Sequence, residues 1–268
     1  MPHSPYRVEP GKKVDLSKWP TDDTGPFKDK AEAKQDIKKN LKRLIELQDL
    51  LYACASHSVL IVLQAMDAGG KDGAISHVFS GVNPQGCNVT SFKVPSHLEL
   101  SHDYLWRYHR ACPAKGMIEI FNRSHYESVL VERVHKIAPK EVWSQRYEQI
   151  NAFESMLVSE KTVVLKFYLH ISKKEQKKRL EARLEDKAKN WKFSAADLAE
   201  RKRWDDYTEA FEDALRCCST EEAPWYVVPA DHKWFRNWVL SDTIARTLEK
   251  LNLKPPAPEG DLDKIKIK

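Results

Sequence analysis

An α/β fold built on a parallel sheet of about five strands, flanked by helices and carrying a helical lid, is predicted by three observations. Short runs of β-branched and aliphatic residues alternate with helical stretches along most of the chain, the spacing of βαβ units. Within those runs the apolar residues are continuous rather than alternating, which implies strands buried on both faces. The segment after the first run, Met66 to Gly73 (MDAGGKDG), has the composition of a loop that grips phosphate between a strand and a helix.

Taken in order, residues 1–30, rich in Pro, Asp and Lys, read as an irregular arm. From Ala31 to Ala55, Ile37, Leu41, Leu44, Ile45, Leu51 and Tyr52 recur at helical spacing, interrupted only by Gln48, and predict an amphipathic helix. The strand candidates are SVLIVLQA (58–65), CNVTSFKV (87–94), GMIEIFN (116–122), TVVLKFYLHI (162–171) and WYVVPA (225–230). Between the last two, about 172–216, two charged helices joined by DKAKNWKFS form a hairpin expected to project from the sheet as a lid. One α/β domain is thus expected over 31–254, followed by a loosely held tail, 255–268.

Composition narrows the function classes. Among 268 residues, 41% are hydrophobic, 31% charged and 10% aromatic, which describes a globular chain rather than a disordered one. The start MPHSPYRVEPGKK lacks an apolar signal region, and VLIVL is far shorter than the ~20 residues a membrane helix needs, so a cytoplasmic protein without a membrane partner is expected. Five cysteines, at 54, 87, 112, 217 and 218, have no C-x-x-C spacing and indicate neither a disulfide framework nor zinc. Net charge is +5, and the segment 173–192 holds nine Lys/Arg against four Asp/Glu, an excess as large as that of the whole chain. An anion is expected to meet it.

The loop departs from the pattern G-x-x-x-x-G-K-[ST]. Gly70 and Lys71 fit it, but Ala65 stands at the first glycine, Asp72 at the hydroxyl, and Asp67 adds a carboxylate. Lys71 is the first candidate for the transferring phosphoryl group, with Gly69, Gly70 and Gly73 letting the backbone approach; the competing reading is a surface lysine at a tight turn. Asp67 or Asp72 can hold magnesium, since Mg²⁺ takes one or two carboxylates plus phosphate and water. Asp67 is preferred, because Asp72 equally suits the first turn of a helix. A second loop, NRSHYES (122–128), leaves another strand's carboxyl end, where open α/β sheets bind ligands. There Arg123 can clamp phosphate bidentately, Asn122 stands where an Asp ordinarily supports magnesium, and Glu127 either supplies a carboxylate or stabilises a helix start. On the lid, Arg179 and Arg183 share a helix face and are candidates for a finger on the transferring group, with Lys187 and Lys192 continuing a basic track. A solvated, ion-paired helix is the alternative for most of these lysines. No His-x-x-x-His pair or Ser/His/Asp set is readable. An already ionised phosphate acceptor, with a second pKa of ~6, needs no general base.

The blocks AMDAGGKDG, VNPQG, FNRSHYESVLVERV and RWDDYTEAF, spread from about Val59 to WFRNW (234–238), resemble those of the polyphosphate kinase type 2 family, which is similar in fold to thymidylate kinase. The resemblance implies a P-loop kinase-like sheet and reversible phosphoryl transfer between inorganic polyphosphate and nucleotides, with Mg²⁺, or Mn²⁺ in its place. It assigns Asp67 and Lys71 to the first loop, Arg123 to the second and Arg183 to the lid. It also implies a homo-oligomer and adenine nucleotides as partners, with guanine nucleotides as further candidates. Many relatives read Phe-Asp-Arg-Ser-Trp-Tyr where this chain reads Phe121-Asn122-Arg123-Ser124-His125-Tyr126, which puts a second metal site in question. The Asn form with Glu127 resembles the subgroup accepting both AMP and ADP. An ATP-dependent nucleoside monophosphate kinase would share sheet, loop and lid. A nucleic-acid-binding protein would explain the basic stretch but not two phosphate loops, and interleaved aromatic and basic motifs are missing.

Overall fold

The computed structural model describes residues 4–188, 190–258 and 260, apart from the side chain of Lys192. The end of the expected C-terminal tail, 261–268, lies outside the described residues. Five strands, β1 (Ser58–Ala65), β2 (Cys87–Ser91), β3 (Ile118–Asn122), β4 (Thr162–His170) and β5 (Trp225–Pro229), pair in the order β2-β3-β1-β4-β5, every ladder parallel. β1 is central and buried on both faces, as its unbroken VLIVL run requires. Chain direction across the sheet reverses about β1, so a crevice opens at the carboxyl ends of β1 and its neighbours. The register Leu63↔Asn122 brings the ends of β1 and β3 side by side.

Seven helices of eight or more residues occur among the described residues: α1 (Lys30–Cys54), α2 (Lys71–Val78), α3 (Arg146–Ser159), α4 (Lys173–Glu185), α5 (Ala195–Lys202), α6 (Trp204–Cys218) and α7 (Lys233–Glu249). α1 starts where the Asp29 carboxylate accepts from the N–H groups of Ala31 and Glu32, and packs against α7 on one face of the sheet. Gln48, the polar residue in its apolar stripe, is fully buried because its side-chain oxygen accepts from the Asn83 N–H at 2.9 Å. α3 and α6 cover the opposite face. The N-terminal arm seals the sheet's edge: Val8 N–H donates to Trp225 O at 2.8 Å and Val227 N–H to Tyr6 O at 2.9 Å, so β5 presents no open ladder there. Among the described residues no helix is long and apolar enough to cross a membrane.

The lid differs from its sequence expectation. The second helix of the predicted hairpin is broken at Arg203 into α5 and α6. α6 buries Ala210, Phe211, Ala214, Leu215 and Cys218 in the core, whereas α5 buries nothing. The projecting part therefore ends near Lys202, because the apolar face of α6 commits it to the sheet.

Beneath the second loop lies a charged cluster that the apolar reading of β4 conceals. Lys166, fully buried in mid-strand, donates to Tyr126 Oη (3.0 Å), to the Cys218 carbonyl (2.5 Å) and to Glu154 on α3. Glu154 also accepts from Tyr126 Oη at 2.9 Å and from His125 Nε2 at 3.0 Å. Burial works against the charged form of Glu154, but Lys166 and His125 outweigh it and hold the carboxyl below its usual range. Burial likewise keeps His125 below its ordinary value, hence neutral. Glu154→Gln strands the Lys166 charge and is expected to cost ~3–5 kcal/mol, only part of it recovered in a Lys166→Met/Glu154→Leu double variant, because Tyr126 Oη and His125 Nε2 then lose their acceptor. Depressed folded-state pKa values mean the unfolded chain binds these protons more readily. Stability should therefore decline as pH falls, first through the unfolded histidine range near roughly 6.5 and then through the carboxylate range. Denaturant titrations of wild type and variants across pH 4–8 measure both effects, and a wild type gaining stability toward acid would contradict them.

Candidate active site

β1 ends at Ala65, and residues 66–70 turn into α2, whose cap position is Gly70 in the left-handed region (φ 95). Ala68 is also left-handed (φ 59), an alternation that turns successive amides toward one side as an anion cradle. The glycines are required by close packing. A Cβ on Gly69 would lie 2.4 Å from Ala65 Cβ, and one on Gly70 2.3 Å from Arg236 Nη1.

Lys71, first residue of α2, folds back so that Nζ lies 3.3 Å from the Ala65 carbonyl, above the end of β1. Burial, then Arg123, lowers its pKa, against the opposing pull of Asp67, Glu127 and Asp72. Arg123 follows β3 with φ 65, strained for a residue with a side chain, and its N–H donates to Leu63 O at 3.2 Å across the β1–β3 seam. Its guanidinium lies 3.3 Å from Asp67 Oδ1 and 3.8 Å from Glu127 Oε2. Glu127 accepts in addition from Gln64 Nε2 at 3.1 Å. Burial raises the Glu127 pKa, partly countered by Arg123 and Lys71. The sequence candidates Asp67, Lys71, Arg123 and Glu127 thus converge at the carboxyl ends of β1 and β3. Asp72 points toward β3, accepting from Asn122 Nδ2 at 2.8 Å; an Asp at 122 would repel it. Gly73 lies in the first turn of α2.

The lid residues divide differently from expectation. Arg183, on α4, pairs with Asp197 at the start of α5 (3.1 Å). Asp197 lines a cavity of about 330 Å³ with Asp67, Arg123, Glu127, Trp204 and Tyr207. Burial and the Asp67 charge raise the Asp197 pKa against Arg183 and Arg123. Arg179 does not join a phosphate-facing track. It is 9% exposed and donates to the carbonyls of Ala68 (3.1 Å), Gly69 (3.0 Å), Ala230 (2.5 Å) and Asp231 (3.2 Å). A guanidinium spent on four carbonyls braces the loop from behind. Lys187 is exposed beyond the end of α4, and the side chain of Lys192 lies outside the described residues.

Sequence reasoning missed three residues. Gln64 orients Glu127; its place at the end of an apolar strand was the available signal. Gln176, 2% exposed, donates to the Asp67 carbonyl (2.8 Å) and accepts from Arg201 of α5 (2.7 Å), tying lid to loop. Arg236 of α7 donates to the Gly70 carbonyl at 3.0 Å from 166 residues away, and no local pattern announces it. A larger groove of about 970 Å³, between the arm, the start of β4 and α7, brings neither phosphate loop to its wall.

The model of the polyphosphate kinase 2 family matches residues 27–256. The chain belongs to that family. It is 52% identical over 263 residues to a Meiothermus ruber protein named AMP/ADP-polyphosphate phosphotransferase, with 98% of each chain covered. To the ADP-polyphosphate phosphotransferase of Rhodopseudomonas palustris it is 48% identical, covering 94% of this chain and 91% of that one. The crystal structure of a polyphosphate kinase 2 from Arthrobacter aurescens TC1 superposes with a TM-score of 0.93 at 42% identity, over 96% of this chain and 92% of that one. The fold is accordingly that of polyphosphate kinase 2, built on a five-stranded parallel sheet.

Gly70→Ala combines a left-handed backbone with a Cβ inside van der Waals distance of Arg236, so a loss of ~1–3 kcal/mol of stability is expected. Chemical denaturation checks it; an unchanged midpoint would show that Arg236 yields freely.

Proposed function

We propose that this chain transfers the terminal phosphoryl group of inorganic polyphosphate to AMP and ADP, reversibly. The observation that carries the reading is the convergence of Lys71 and Arg123, from two loops at adjacent strand ends, on Asp67 and Glu127. Phosphoryl transfer asks mainly for alignment and charge neutralisation, and this cluster supplies both without a nucleophile. The names of the relatives direct the donor toward polyphosphate and the acceptors toward adenine nucleotides.

Magnesium suits the donor set. Asp67 and Glu127 present oxygen ligands on either side of Arg123. Among the described residues no group of three or more His, Cys, Asp or Glu is placed to hold a metal, so water and substrate phosphates would complete the shell, as Mg²⁺ prefers. When bound, the ion, or Mn²⁺ in its place, neutralises phosphate oxygens. The residues do the rest. Backbone amides of the first loop and Lys71 receive the donor phosphates, and Arg123 orients the transferring group against the acceptor. The aromatic side chains of Trp204 and Tyr207 wall the cavity where the acceptor sits. Arg183 exchanges Asp197 for the transferring group as α5 settles over the cavity. The acceptor phosphate is already ionised, with a second pKa of ~6, and needs no base. Guanine nucleotides as further substrates, a homo-oligomer and a cytoplasmic location belong to the same reading.

Purified protein with Mg²⁺ and AMP or ADP, given polyphosphate or ATP as sole phosphoryl donor, tests it directly. Phosphorylation from polyphosphate is expected; transfer from ATP to AMP without any from polyphosphate would establish an ordinary nucleotide kinase instead. In that assay Lys71→Ala should lose at least roughly 10²-fold in kcat while remaining folded, because preorganised charge is removed where charge develops. Arg183→Ala should lower kcat more than it raises KM if the arginine engages in the transition state. A pure KM effect would make it a docking residue.

A further inference from the structure

Arg236 is 2% exposed, on the first turn of α7 behind the phosphate loop. Its Nη1 donates to Gly70 O (3.0 Å), and Nε and Nη2 donate to Asn237 Oδ1 (3.0 and 2.7 Å). Among the described residues no carboxylate pairs with it, and the nearest ionised influence is a second cation, Arg179. Burying an arginine without a counter-charge is costly, and it packs directly on the loop: a Cβ on Gly70 would lie 2.3 Å from Nη1.

The geometry of the two guanidiniums follows the peptide units of the loop. Arg179 holds the Ala68 and Gly69 carbonyls, and Arg236 holds the Gly70 carbonyl together with the Ala74 N–H of α2 (3.0 Å), three consecutive oxygens drawn to one side. In a trans peptide the N–H points opposite its C=O. Pinning Gly69 O therefore aims the Gly70 N–H away from the arginines, and pinning Gly70 O does the same for Lys71 N–H. Neither amide has an acceptor in the chain among the described residues. Gly69 N–H is already used, donating to Met66 O at 2.9 Å. A cationic donor on each carbonyl also polarises the peptide, strengthening the N–H on the far side.

We propose that Arg236 is a positioning residue for phosphoryl transfer, an uncompensated buried cation that fixes and polarises the Gly70–Lys71 peptide so that its amide receives a donor phosphate, whose negative charge is its counter-ion. This rests on the phosphate-binding reading of the loop and deepens it. In the unliganded protein the charge is a liability to folding; in the complex it is answered across one peptide unit. Arg179, with Glu175 at 2.8 Å, is by contrast locally neutralised.

The test separates charge from hydrogen bonding. Arg236→Gln keeps a donor near Gly70 O without the charge, and Arg236→Lys keeps the charge without the fork. Tripolyphosphate binding is measured by calorimetry on the wild type and both variants, beside the melting temperature of each unliganded protein. Arg236→Gln is expected to bind at least roughly tenfold more weakly, a charge-assisted contact being the stronger kind, while melting no lower than wild type. Arg236→Lys should bind within about threefold of wild type on the same ground. Equal binding by the Gln variant would overturn the proposal. So would parallel loss of melting temperature and binding in both variants, or failure of both to fold, since the arginine would then serve only the fold. A wild type that binds no tripolyphosphate would instead remove the functional reading beneath it.

Discussion

A loop that offers its amides to an anion must turn its carbonyls inward, and every inward carbonyl needs a donor. Here the donors include side chains from two distant helices, Arg179 on α4 and Arg236 on α7, the latter sharing the Gly70 carbonyl with the Ala74 N–H of α2. Most other features near the loop follow from that requirement. Gly69 and Gly70 carry no side chain because Ala65 and Arg236 occupy the space where a Cβ would stand. α4 must lie against the loop for Arg179 to reach it, which in turn brings Gln176 to the Asp67 carbonyl and sets Asp67 opposite Arg123.

The second loop is braced by the same device in another chemistry. Arg123 is held left-handed at the end of β3, and two and three residues after it His125 and Tyr126 drop onto the Glu154–Lys166 pair. Each loop thus rests on a buried cation, guanidinium below one and ammonium below the other, while the carboxylates Asp67, Glu127 and Asp197 face the cavity. The difference lies in compensation. Lys166 has Glu154 and a carbonyl, so the second loop has a neutral floor. The first loop's floor keeps a net positive charge. An uncompensated floor suits an anion at the first loop, beside which the second loop presents Arg123.

The sheet was legible in the sequence because β1, β3, β4 and β5 are buried almost throughout and therefore nearly continuous in apolar residues, while the edge strand β2, largely exposed, lies within a segment marked by its β-branched and aromatic residues; all five fall inside the segments expected. The position of Arg123 was legible because a residue immediately after a parallel strand is placed by the strand itself, and that of Lys71 because the glycine-rich turn after β1 leads straight into the first residue of α2. What was not legible depends on chain separation. Arg236 reaches Gly70 across the whole fold, and Lys166 looks like a polar interruption in β4 until α3 brings Glu154 beneath it. Arg179 was misassigned because helical spacing tells which residues share a face and not what that face meets. The break at Arg203 escaped for the opposite reason: the charged residues continue through it, and only the burial of Phe211 and Leu215 separates a docked helix from a projecting one.

That break also explains how one segment can be firmly attached and still exchange its partners. α6 is anchored by apolar side chains in the core, while α5 buries none and, among the described residues, makes polar bonds that include Arg183 to Asp197, Arg201 to Gln176 and the Lys173 carbonyl, and Glu200 to His135 and Tyr207. Partly exposed ion pairs of this kind contribute about 0–1 kcal/mol each, little enough for a multiply charged phosphate to displace. The apolar anchor of α6 contributes far more, since each buried large apolar side chain is worth ~1.5–3 kcal/mol. Substrate charge can therefore rearrange α5 and the end of α4 without unseating α6. Gln176, which bonds both Arg201 of α5 and the Asp67 carbonyl, links the polar-held helix to the first loop.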